Sequence, residues 1–185
     1  MSMVLEEYFA EVRSSDVYPY GYGEVRDFLE IPYAAASIDW VITNPPFRLG
    51  EDFIRKGLNV ARRGVAMLTR TVFIESVGRY DRIFLKTPPT KFAQFTERVP
   101  MVKGRLDKKA STATGYCWLV WEKYFRTKPQ LVWVPPCRKS LEREMDYQTP
   151  KRQGPRLRIT QSETLVPVME KLGRRKAQPT KDLFD

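Results

Sequence analysis

The run Ile38-Asp-Trp-Val-Ile-Thr-Asn-Pro-Pro-Phe47 constrains the fold of this chain more than any other stretch. Ile38, Val41 and Ile42, with Trp40, make a short apolar segment suited to a buried parallel strand. Pro45 and Pro46 lack backbone donors and fix φ, so the chain must leave the sheet there as a stiff turn. Behind the turn, Gly50 to Arg63 carries Phe53, Ile54, Leu58 and Ala61 at helical spacing. Glu51 and Asp52 lead and Arg62 and Arg63 close, an order that suits the helix dipole. Gly64 is expected to end that helix, and the apolar run Val65–Phe73 to form the next buried strand. Strand, turn, helix and strand in this order predict a right-handed βαβ unit of a doubly wound α/β sheet. Asn44 and Phe47 then lie at the carboxyl end of a strand, where open α/β sheets bind ligands.

The turn has a chemistry of its own. The Asn44 side-chain oxygen and the carbonyl beside it can accept both hydrogens of an exocyclic amine. That holds the nitrogen lone pair toward an incoming methyl group and stabilises the positive charge that develops on nitrogen. Phe47 can stack on the face of a base swung out of its helix. An ordinary tight loop would also use such a string. The motif resembles the catalytic loop of class I S-adenosylmethionine-dependent methyltransferases that act on planar amino groups, above all N6 of adenine, and in particular the phage and prophage DNA enzymes. The resemblance spans about residues 4–136. It implies a Rossmann-like sheet, S-adenosyl-L-methionine as cofactor, Asn44 and Pro45 orienting the amine, Pro46 completing the turn and Phe47 stacking the base. RNA bases and a protein Gln amide are substrates elsewhere in the same class.

For the cofactor, the resemblance points to Asp16, Asp27 and Phe28. Glu11 to Asp16 reads as a short strand ending in an acid, the place at which the family hydrogen-bonds the cofactor ribose. Asp also starts turns, and the two readings of Asp16 stand side by side. Asp27 and Phe28 fall where the family surrounds the cofactor adenine, although Asp27 equally suits the start of a helical turn. Tyr20-Gly-Tyr-Gly23 follows the acid-ended strand instead of preceding it, so it reads as a turn. The glycine-rich strand and turn that the family places first are not found, and the sheet is expected to lack its first central strand. Three explanations follow: a longer reading frame, a strand supplied by a partner chain or a second copy, or a shortened relative that keeps the fold without catalysis and binds nucleic acid.

Composition narrows the partners. With 185 residues and 42% hydrophobic content the chain can bury a real core. The net charge of +10 favours a polyanion, nucleic acid first, without separating DNA from RNA; the resemblance to DNA methyltransferases is what places DNA ahead. There is no histidine, which removes His-based triads, bases and metal sites, and no metal is expected. Cys117 and Cys137 sit in apolar, strand-like contexts without metal spacing and read as buried free thiols. Neither a signal-peptide pattern nor a membrane-length apolar run is present, and the expected location is cytoplasmic.

The remaining elements are read more coarsely. Met3 to Phe9 is the end of a helix, and Arg79 to Leu85 another, with Tyr80, Ile83 and Phe84 inward. Strands are expected within Lys91–Pro100, Gly115–Phe125 and Leu131–Val134, closing an antiparallel edge. Between the first two lies Val102 to Thr114, a long polar loop expected on the same face as Asn44. Lys103, Arg105, Lys108 and Lys109 in it would grip phosphates beside the target base, or the loop has no role. Residues 1–140 form the α/β domain and 141–185 a basic, Pro-interrupted arm, with one short helix around Val168 to Leu172. The arm would lie on nucleic acid or a partner, or hang free. Near its end Asp182, Leu183 and Phe184 resemble the short acidic-aromatic peptides that dock on bacterial sliding clamps.

Overall fold

The computed structural model describes residues 1–101, 107, 109–125 and 128–147. In chain order the elements are α1 (Ser2–Leu5), β1 (Ser15–Asp16), β2 (Glu24–Val25), β3 (Ile38–Thr43), α2 (Gly50–Val60), β4 (Ala61–Arg70), α3 (Val77–Arg79), β5 (Lys91–Phe95), β6 (Tyr116–Glu122), β7 (Gln130–Val134) and α4 (Arg138–Leu141). Short 3-10 turns at Phe47–Leu49, Thr71–Ile74 and Glu144–Tyr147 and a π-helical turn at Tyr80–Phe84 connect them. The class is mixed α/β: one five-stranded sheet with few helices.

The sheet runs in the order β3-β4-β6-β5-β7. β3 pairs parallel to β4, β6 lies antiparallel to both β4 and β5, and β7 is parallel to β5. The expected antiparallel edge is therefore a single reversed strand set inside the sheet. The carboxyl ends of β3, β4, β5 and β7 and the amino end of β6 share one end of it. Among the described residues β3 pairs only with β4, so its other side is an open edge.

Side-chain periodicity explains the core. β4 and β6 are the central strands, and both carry nearly continuous apolar runs because both faces are covered. Val41, Val65, Met67, Leu119 and Trp121 pack with Phe53, Ile54 and Val60 of α2 and with Phe73 and Ile83. α2 comes close because Gly57 has no side chain: a Cβ there would sit 3.2 Å from the Met67 methyl and 3.3 Å from Val65. At Gly64 the need is greater. A Cβ would stand 2.6 Å from the Trp121 carbonyl oxygen and would run into the Trp40 ring.

That contact corrects the helix boundary. α2 ends at Val60, Ala61 is extended, and Arg62, Arg63 and Gly64 belong to β4. Gly64 pairs with Trp40 and Glu122, next to a register shift between Ile38 and Trp40. The glycine makes room for an indole instead of capping a helix, and Arg62 donates to Asp39 (2.7 Å) across the strands. β4 also ends at Arg70, sooner than the apolar run suggests, because Thr71–Ile74 turns away with only Phe73 buried.

Other expectations need similar adjustment. Tyr80 points outward while Ile83 is buried, because the segment winds as a π-turn and not as a regular α-helix. Cys117 is buried in β6, its thiol 3.6 Å from Thr69 Oγ1, and burial pushes that thiol up. Cys137 is a free thiol too, but half-buried and outside any strand. Tyr124 and Phe125 are exposed beyond the end of β6. Residues 141–147, assigned to the arm, tie back to the body: Arg143 forms a two-pronged pair with Glu7 at 2.8 and 3.0 Å. The rest of the arm, including Val168 to Leu172, Asp182, Leu183 and Phe184, lies outside the described residues. No helix among the described residues is long and apolar enough to cross a membrane.

Candidate active site

Two turns meet at the carboxyl end of the parallel pair β3 and β4. In the first, Asn44 is exposed and Pro45 buried, Pro46 is exposed and Phe47 half-buried. The Asn44 carboxamide has no hydrogen-bond partner among the described residues. Of the carbonyls beside it, that of Pro46 is spent on the Leu49 N–H (2.9 Å), whereas that of Pro45 accepts no backbone bond. Two adjacent acceptors, the amide oxygen of exposed Asn44 and the carbonyl of buried Pro45, are thus left unspent, and an amine with two hydrogens needs two acceptors.

The second turn is Thr71–Ile74, and it locks the first. Gly50 packs flat on Phe73; a Cβ there would lie 2.7 Å from the ring. Arg70, the last residue of β4, places its guanidinium carbon 4.3 Å above the centroid of the Phe47 ring. Glu51, at the head of α2, receives two hydrogen bonds from Arg82 (2.8 and 2.7 Å). That contact, with the charges of Arg82 and Arg79 beside it, holds the Glu51 carboxyl below its ordinary range. Arg79 lies over the Phe73 ring at 4.2 Å and donates to the Phe73 carbonyl at 3.0 Å. Its Nε is buried without a hydrogen bond, 3.7 Å from Glu51. The Asn-Pro-Pro-Phe turn is therefore braced from α2, from β4 and from the Val77–Phe84 segment.

The residues assigned to the cofactor sit elsewhere. β1 and β2 form their own two-residue parallel ladder apart from the five-stranded sheet. The expected strand from Glu11 is reduced to Ser15–Asp16, and Gly21 and Gly23 adopt positive φ (81° and 74°) in the connection that leads to β2. A Cβ at Gly23 would stand 2.5 Å from the Ser14 carbonyl oxygen. The Tyr20–Gly23 turn is as expected. Asp16 accepts the Tyr18 N–H (2.8 Å) and Asp27 the Leu29 N–H (2.8 Å), each through one oxygen, in side-chain-closed turns. Phe28 packs on Phe53 at 5.2 Å and on Tyr33 at 6.1 Å, with Lys56 Nζ 5.4 Å from its ring. The same lysine donates to the Leu29 and Ile31 carbonyls (2.8 and 2.6 Å), fastening this segment to α2.

A cleft of about 400 Å³ opens beside it, lined by Val17, Val25, Arg26, Asp27, Glu30 and Ile31. It includes Asp27 and the neighbour of Asp16, and it does not include Asn44 or Phe47. The structure thus keeps Asn44, Pro45, Pro46 and Phe47 together in one turn, while Asp27 lines a cleft to which none of them contributes.

The polar loop between β5 and β6 leaves and re-enters the sheet at the Asn44 end, as expected. Its described flanks are pinned there: Thr71 N donates to the Gly115 carbonyl (3.0 Å) and Arg98 to the Ala113 carbonyl (2.7 Å). Lys109 is exposed, its backbone N–H on Asp107 Oδ1 at 2.9 Å. Lys103, Arg105 and Lys108 lie outside the described residues. Sequence reasoning overlooked Arg70. The signal was present, a lone cation closing an apolar strand at the ligand end of the sheet, but only the fold shows that it meets Phe47. Compared with protein-family models and with curated proteins, the chain shows no match.

Proposed function

We propose that this chain carries the amine-binding half of an S-adenosylmethionine-dependent methyltransferase, acting on an exocyclic amino group and most plausibly on N6 of adenine in DNA. One observation carries the reading: an exposed Asn44 carboxamide and an unspent Pro45 carbonyl, next to a half-buried Phe47, at the carboxyl end of a strand in a parallel β3-α2-β4 unit. The Asn44 oxygen and the Pro45 carbonyl take the two amine hydrogens, and Phe47 stacks the base. The amine nitrogen then presents its lone pair to the methyl donor, and the two oxygens stabilise the charge it acquires. The cleft at Asp27 lies within the usual size of small-molecule sites, about 300–1,000 Å³. Asp27 in its lining, and Asp16 next to the lining residue Val17, each keep one carboxylate oxygen without a hydrogen bond for a cofactor hydroxyl or amine. In its Rossmann-like form the sheet would continue beyond β3, and a strand from a partner chain or second copy would add to that open edge.

Calorimetric titration of S-adenosylhomocysteine into the protein tests the reading. Micromolar binding, lost in Asp16→Ala, is expected, together with methyl transfer to DNA. Removing the amine acceptor in Asn44→Ala is expected to lower that transfer about 10²-fold or more, in line with loss of one preorganised charge-stabilising group, while cofactor affinity stays unchanged. No binding and no transfer would refute the enzyme reading.

A second reading is favoured by the turns at Asp16 and Asp27 and by the packing of Phe28, which give all three residues structural work. In it the chain keeps the fold, binds nucleic acid through its excess charge, and ignores the cofactor.

A further inference from the structure

Arg70 is set apart from the other cations of this end of the sheet, exposed Arg48 among them, by its seat on the Phe47 ring. Arg79 and Arg82 are committed to Phe73 and Glu51. Arg98 spends a donor on the Ala113 carbonyl. Arg70 is exposed, closes β4 at the same end as Asn44, and rests its guanidinium over Phe47. It has no ion pair and no side-chain hydrogen bond among the described residues. A cation over an aromatic face gains about 0.5–1 kcal/mol at an exposed site, enough to bias the side chain toward one place without using any of its N–H donors. Arginine offers five such donors in a planar fork, matched to two oxygens of a phosphate.

We propose that Arg70 is the phosphate ligand of the nucleotide whose base enters the site. Phe47, half-buried, seats the guanidinium on the same ring that is to stack the base, so a single aromatic side chain sets the spacing between base and phosphodiester. The inference rests on the reading of Asn44 and Phe47 given above and narrows it: the substrate is a nucleotide within a nucleic acid strand, and a neutral amide such as a protein Gln side chain would leave Arg70 unanswered.

The experiment is equilibrium binding of a fluorescein-labelled single-stranded oligodeoxynucleotide to the full chain over a range of salt concentrations, read by anisotropy. Arg70→Gln is compared with Arg62→Gln, which removes the same charge at the opposite end of β4, where Arg62 pairs with Asp39. Arg70→Gln is expected to weaken binding and to reduce the slope of log K against log salt by about 0.7, the value for one lost phosphate contact on a single strand. Arg70→Lys keeps the slope, because a lysine still neutralises the phosphate, and it serves as the check that the position tolerates change. Arg62→Gln leaves the slope unaltered. An unchanged slope in Arg70→Gln, an equal fall in Arg62→Gln, or no binding by the unsubstituted chain would each overturn the proposal. The parallel titration with S-adenosylhomocysteine separates the two failures. A slope loss in Arg70→Gln without cofactor binding keeps Arg70 and sinks the enzyme, whereas cofactor binding with an unchanged slope does the reverse.

Discussion

Replacing Gly64 by alanine tests how the strand that carries Asn44 is seated. The added Cβ would stand 2.6 Å from the Trp121 carbonyl oxygen and against the Trp40 ring. The ring can tilt, but the carbonyl belongs to the β4-β6 ladder and moves only with its strand. Overpacking of this kind costs about 1–3 kcal/mol, and a fixed backbone atom puts Gly64→Ala at the upper end. Against that, alanine recovers about 0.5–1 kcal/mol of the freedom that glycine loses on folding. The net expectation is a loss of about 2 kcal/mol, which for a chain of this size lowers Tm by about 4–8 °C. Gly115→Ala is the internal comparison. Its Cβ would meet Thr71 Oγ1 at 2.9 Å and Arg98 Nη1 at 3.4 Å, side-chain atoms and not backbone, of which the Thr71 hydroxyl must give up its bond to Gln94 to step aside. Its cost should stay within about 1 kcal/mol. Thermal unfolding followed by tryptophan fluorescence measures both. Equal Tm values for the two variants, or a Gly64→Ala value within about 1 °C of the unsubstituted chain, would refute the argument that this glycine exists to admit an indole.

Further outcomes follow from single contacts. Ala36 holds φ at 51° just before β3, and Ala36→Gly should stabilise the chain by about 0.5–1 kcal/mol in urea unfolding; a loss of stability would contradict it. Thr90 is buried, with Oγ1 donating to the Val120 carbonyl (3.0 Å) and accepting from the Glu122 N–H (3.2 Å). Thr90→Val strands the Glu122 N–H, while the Val120 carbonyl keeps the backbone N–H of residue 90 (2.7 Å), and should cost about 1–3 kcal/mol by the same assay. Arg82 holds the folded-state pKa of Glu51 below its ordinary 4.5, so this pair stabilises fully above that value and progressively less as pH falls through the lowered pKa. Glu51→Gln should be less stable at pH 7, and the gap to the parent chain should shrink as pH falls below 4.5 and through the lowered pKa; a gap that persists at acid pH would show that packing, not charge, is what the substitution removes.

Legibility differed from element to element. The β3 strand, its Pro-Pro exit and the parallel return through α2 were readable because each rests on a local rule: apolar run, missing donors, helical spacing. The boundary at Ala61 was not, because Arg62, Arg63 and Gly64 look like a helix end in isolation. Only the Trp40 ring, which belongs to the neighbouring strand β3, decides that the glycine is part of a sheet. Tyr80 was assigned inward on α-helical spacing, and the π-turn shifts its direction. At the site, Asn44 and Phe47 were legible as a motif. Arg70 was not, since its meeting with Phe47 depends on two turns from separate strands being packed together through Gly50 and Phe73. Asp16 and Asp27 were read as either cofactor ligands or turn starters, and their hydrogen bonds to Tyr18 and Leu29 give the second role a physical basis without using up either carboxylate.

The reversed strand has a consequence for how the protein is made. β5 touches β6 and β7 but never β4, although it is translated directly after the segment that follows β4. A nascent chain that has delivered everything through Phe95 therefore holds one paired βαβ unit and one orphan strand, whose place beside it does not yet exist. The sheet can grow past β4 only after Glu122 has left the ribosome, when β6 slots in and gives β5 a neighbour. Synthesis of this domain thus passes through a late zippering event that joins β5 to the βαβ unit before β7 adds to the far side of β5, and chains halted before that point leave the β4 margin at Met67 and Leu68 unpaired.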